Sequence, residues 1–142
     1  MTLAILDNSL DWVKTHPERF FSNGAPNEIE LIRAVWMDAM LLGADAVLVK
    51  RHAGVTIVAA SLNWLTHPLF GPHELFVRLV ALPEAGANGV RSEVLLAAFC
   101  RDIVACADDA ILFEHGDRAI AETVLSVLVA NSAMRAAVGF RL

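Results

Sequence analysis

The chain has 142 residues and a formal net charge of -5, with 11 Lys+Arg against 16 Asp+Glu, and 56% of its residues are hydrophobic. That length fits a single domain, 1–142, and so apolar a composition excludes a disordered chain. Lysine occurs only at Lys14 and Lys50, and no basic run exceeds Lys50-Arg51, which excludes nucleic acid or an anionic membrane surface as the main partner.

Asn8-Ser9 can cap a short helix through Leu10, Trp12 and Val13 that stops before His16-Pro17, because proline disfavours helix at the residue before it. Ser22-Asn23-Gly24-Ala25-Pro26 is a turn. Asn27 with Glu30 three residues on resembles a capping box, and Leu31, Val35 and Leu42 give the helix behind it an apolar face that ends at Gly43. Ala46 to Arg51 and Val55 to Ala60 are β-branched runs around His52-Ala53-Gly54, a hairpin. Thr66 to Pro72 reads as a loop and His73 to Leu82 as a helix. Pro83 to Gly89 breaks the chain before a helix from Val90 to Phe99. Ile103 to Cys106 and Ala110 to Phe113 form a second hairpin around Asp108-Asp109. Gly116-Asp117 turns into a helix from Ile120 to Asn131, and Val138 to Leu142 fits either strand or coil. Hairpins favour antiparallel pairing, so the expected class is α+β: a two-layer sandwich with a mixed or antiparallel sheet and helices on one face.

The best apolar stretch, Ala53 to Leu62, is about half the length a membrane span needs. Asp7 and Asp11 interrupt the start of the chain, so no secretory signal is expected. Cys100 and Cys106 make no disulfide framework, and a cytoplasmic location with reduced thiols is expected.

The element order, and Leu10 to Phe21 with its His16-Pro17-Glu18-Arg19-Phe20-Phe21 end, resemble the ATP-binding domain of the GHKL superfamily, which includes gyrase B subunits, histidine kinases and MutL. The resemblance runs from Leu10 to His115. It implies that Leu31 to Asp45 is the helix carrying an E-x-x-x-N pattern, in which the glutamate activates water and the asparagine ligates Mg²⁺. Here Met37 and Leu41 stand at those positions, and neither can take a proton or bind a hard cation. Asp38 is one residue away, about 100° round the helix. Asn63 stands where the family's D-x-G-x-G has its aspartate, with Trp64 following, and Gly86-Ala87-Asn88-Gly89 resembles a shortened glycine-rich lid. The resemblance therefore implies a relative that has lost ATP hydrolysis, with no cofactor and no catalytic residue assigned. A remnant pocket would involve Asn63, Trp64, Gly86, Asn88 and Gly89.

Other candidate chemistry is sparse. Cys100 and Cys106 lack CxxC spacing and read as buried thiols. His67, His73 and Glu74 straddle a proline loop without the spacing of a metal motif, and no metal is expected. Gly86 to Gly89 before a helix would suit an anion. Asp108-Asp109 reads as a turn, and Ser22, Ser61 and Ser92 lack a nucleophile elbow. Trp12, Trp36 and Phe20-Phe21 are expected in the core. The Ile120 to Asn131 helix is apolar almost all round, which predicts a homodimer interface through Val124, Leu125 and Leu128. The expected function is a non-catalytic protein-interaction scaffold, homodimeric, with a possible second protein partner. A small-molecule or nucleotide sensor at the remnant pocket is the alternative. A hydrolase or metal enzyme using His67, His73 or a cysteine comes third.

Overall fold

The computed structural model describes residues 9–142; the cap expected at Asn8 lies outside them. Helix α1 spans Ser9–Thr15, and a 3-10 turn, Pro17–Arg19, leads to α2, Glu28–Leu41. Asn27 Oδ1 caps α2 by accepting the Glu30 N–H at 3.1 Å. The other half of the expected capping box is not made. Glu30 Oε1 instead accepts the Ser22 N–H at 3.0 Å and ties the preceding turn to the helix.

Strands β1 (Val47–His52) and β2 (Val55–Ala60) form the first hairpin, and β3 (Asp102–Ala107) and β4 (Ala110–His115) the second. The first turns through Ala53 and Gly54, both left-handed, as a two-residue hairpin loop requires. The final strand, β5 (Ala136–Arg141), lies between the two hairpins, so the antiparallel sheet runs β1-β2-β5-β3-β4. The segment that suited strand or coil is thus the centre of the sheet.

Between the hairpins lie α3 (Pro72–Val77), a 3-10 turn (Pro83–Ala85) and α4 (Glu93–Phe99), and α5 (Ile120–Ala130) precedes β5. Helix α3 is shorter than expected. The chain goes extended at Arg78, and Val80 to Leu82 pairs with Gly89 to Arg91. The Arg91 N–H donates to Val80 O and the Leu82 N–H to Gly89 O, both at 2.8 Å. Gly89 sits so close to Leu82 O that a Cβ would overlap it.

The α+β class with an antiparallel sheet is what the structure shows, but the expected two layers with helices on one face are corrected, because α5 covers the second face of the sheet. Val58, Ala60, Ile103, Ala105 and Val138 point to the face covered by α2, α3 and α4, with Phe76 and Leu96 among them. Their neighbours Ile57, Ala59, Val104, Cys106 and Ala137 point to the other face, where α5 packs through Ile120, Val124, Val127 and Leu128. Both faces of the sheet are covered, which explains why β2, β3 and β5 are buried along their length. Gly139 lets α5 approach, because a Cβ there would overlap Val124 Cγ2. No described helix is long and apolar enough to cross a membrane.

Candidate functional site

The loop after β2 is shaped by its own side chains. Asn63 Oδ1 accepts the Leu65 N–H at 3.1 Å. His67 Nδ1 accepts the Leu69 N–H at 3.0 Å, so the neutral ring carries its hydrogen on Nε2. Trp64 drives its indole into the core, and its Nε1–H is buried with no acceptor among the described residues. Arg91, 2% exposed, pins the loop from behind. Its Nη2 donates to Trp64 O at 2.7 Å and its Nη1 to Thr66 O at 3.0 Å, while its Nε and Nη2 grip the buried Glu93 carboxylate.

The second wall is the paired segment ending in Leu82-Pro83-Glu84. Between the walls is a cleft of about 540 Å³, lined also by Leu42 and Leu62, a size suited to a small organic ligand. Its polar lining is Asn63, Thr66, His67, Glu84 and the edge of Arg91.

Behind this wall, Asp38 on the inner face of α2 accepts the Ser92 N–H at 2.7 Å. Burial pushes its carboxyl up to about 6 against that hydrogen bond, with Glu93 adding repulsion. Asp38 therefore occupies the start of α4, the place where an external anion was expected. Gly86 and Asn88 are exposed, and with Gly89 they form the turn closing the Leu82–Gly89 pairing. The structure brings Asn63 and Trp64 together at the cleft and leaves Gly86, Asn88 and Gly89 outside its lining. Met37 and Leu41 are not in the lining either.

Sequence reasoning passed over Asp38, Arg91 and Glu93 as site-forming residues. Asp38 had a readable signal: it takes the inward position in the series Leu31, Val35, Asp38, Leu42, where a lone carboxylate needs a partner.

The remaining candidates are dispersed. His73 lies against Phe113, with ring centroids 5.6 Å apart, and Glu74 Oε1 accepts the Gly71 N–H at 3.3 Å. No group of three or more His, Cys, Asp or Glu among the described residues is placed to hold a metal. Burial pushes the Cys100 thiol up to about 12 and the Cys106 thiol up to about 11, so neither supplies thiolate at neutral pH. Ser61 Oγ accepts the N–H groups of Asp45 and Ala46.

Two expectations about apolar surface are corrected. Val124 and Leu128 are buried and Leu125 half-buried against the chain's own sheet, so that face of α5 is already occupied. Trp12 and Trp36 are not core residues; they are 41% and 44% exposed. Trp12 stacks on His16 with centroids 4.3 Å apart. Trp36 belongs to an outer face of α2 formed by Ile29, Arg33, Trp36, Met37 and Met40, residues that fall within about 100° of arc opposite the buried face.

The chain matches no protein-family model, no curated protein and no solved structure.

Proposed function

We propose that the chain is a non-catalytic, GHKL-like interaction domain of the cytoplasm that pairs with a second copy through the outer face of α2. The observation carrying this reading is that Ile29, Trp36, Met37 and Met40 are all exposed on one side of a helix whose other side fills the core. Such a stripe is uncommon on a monomer's surface. A second copy suits it because the stripe is self-complementary. In an antiparallel pair centred between residues 34 and 35, Ile29 faces the partner's Met40. Arg33 then faces the partner's Trp36, a cation–π arrangement. Met37 and Leu41, in place of the glutamate and asparagine of the resemblance, support the loss of hydrolysis. The free cysteines support a reducing compartment.

Sedimentation velocity across a concentration series tests the pairing. Wild type should shift toward a dimer as concentration rises, and Met40→Glu, which leaves the core untouched, should stay monomeric. A wild type that remains monomeric, or a dimer indifferent to Met40→Glu, removes this reading.

A second reading, a small-molecule sensor, is favoured by the position of Asn63 and Trp64 on the cleft wall. Thermal-shift titration with ATP and ADP, with and without Mg²⁺, tests its nucleotide form; binding at 100 times Kd stabilises by about 2.7 kcal/mol.

A further inference from the structure

From the hydrogen-bonding state of the cleft's side chains, we infer that it takes a small, uncharged carboxamide with an apolar body. This rests on the sensor reading above and names the chemical class that reading leaves open.

Two of the loop's side-chain acceptors are already engaged, while the Thr66 hydroxyl spends its hydrogen on Asn63 O at 3.4 Å. Asn63 Oδ1 and His67 Nδ1 are both occupied by backbone N–H groups two residues downstream. What remains unpartnered among the described residues is the Asn63 Nδ2 amide and, on the neutral ring, the His67 Nε2–H. This wall therefore presents donors and calls for an acceptor. The lining also includes Glu84, whose exposed carboxylate calls for a donor. A carboxamide carries both in one planar group. Its carbonyl suits Asn63 and His67, and its N–H suits Glu84.

Charge excludes the obvious competitors. The guanidinium of Arg91 is already matched by Glu93, and Glu84 and the nearby Asp38 are carboxyl groups, so an anion meets no uncompensated positive charge. A cation would satisfy Glu84 but leave the donors facing it. Leu42, Leu62 and Leu82 supply the apolar contact.

The test is NMR titration of the full chain with three probes of one shape: cyclohexylacetamide, cyclohexylacetate and 2-cyclohexylethylamine. The expected result is that only the amide shifts the Asn63 side-chain NH₂ and the backbone resonances from Asn63 to His67. Asn63→Asp keeps the oxygen that accepts from Leu65 but loses the donor, so it should weaken amide binding about tenfold, the loss of one hydrogen bond. Preferential binding of the acid or the amine, or an amide unaffected by Asn63→Asp, overturns the assigned class and leaves the cleft a ligand site. No response to any of the three overturns both.

Discussion

The carboxylate of Asp38 accepts the backbone N–H of Ser92 at 2.7 Å, joining the inner face of α2 to the start of α4 across 54 positions of sequence. Ser92 stands between Arg91 and Glu93, whose ion pair pins the carbonyls of Trp64 and Thr66. One buried polar chain therefore runs from α2 through α4 to the cleft wall.

Asp38 gives stability a pH dependence of known sign. Its folded pKa of about 6 lies above the ordinary aspartate value of 3.8, so between those values the native state binds more protons than the unfolded state. Its contribution is fully present below about pH 4 and is lost as pH rises through 6. The ceiling is about 3 kcal/mol. Asp102 acts with the opposite sign. The Asp117 N–H, helped by Arg101 and Arg141, holds its carboxyl below the usual range, so its contribution is lost in acid. The difference between wild type and Asp38→Asn isolates the first effect. Urea midpoints should show the variant gaining on wild type between pH 5 and pH 7.

Arg91→Met should be among the most damaging substitutions. It strands the Glu93 carboxylate at 1% exposure and removes the donors to two carbonyls. Breaking a buried pair from one side costs about 3–5 kcal/mol. Arg91→Met with Glu93→Leu should recover much of that in urea titrations. It should still raise amide hydrogen exchange from Trp64 to Thr66, because nothing then holds that wall.

Gly139→Ala should cost about 1–3 kcal/mol as an overpacked core. The new methyl would overlap Val124 Cγ2 and lie 3.2 Å from Val55 Cγ1. Adding Val124→Ala relieves the overlap, so a double-mutant cycle by thermal unfolding should return a favourable coupling energy.

Local signals told much of the fold in advance, and non-local ones did not. Both hairpins and the Asn27 cap are readable because a turn or a side chain two or three residues away specifies them. Helix α3 reads as continuing to Leu82, yet it ends at Val77 because Val80 to Leu82 pairs with Gly89 to Arg91 across an intervening turn, a contact that helical periodicity does not register. Trp36 reads as core because α2 is apolar on both sides, and periodicity alone does not say which side faces out. The cleft is harder still. Asn63 and Trp64 are neighbours in a loop, but nothing local links them to Arg91.

Strand β5 shows the same limit and carries the last prediction. Ala136 to Phe140 are buried on both faces, so the alternation that marks a strand is absent, and Gly139 interrupts the run. Yet β5 pairs with β2 from Thr56↔Phe140 to Ala60↔Ala136, and with β3 from Asp102↔Arg141 to Ala107↔Ala136. Both hairpins reach the sheet only through it. A chain ending at Arg135 would leave β2 and β3 each with one unpaired edge, separate the two hairpins, and leave α5 without its central floor. It should therefore lack a cooperative unfolding transition. Because the missing piece is one strand with both edges used, a synthetic peptide of residues 134–142 added in trans should restore that transition, read by near-UV circular dichroism from the tryptophans. A truncated chain that unfolds cooperatively without the peptide would mean that the two hairpins pair directly, and that β5 is not the strand joining them.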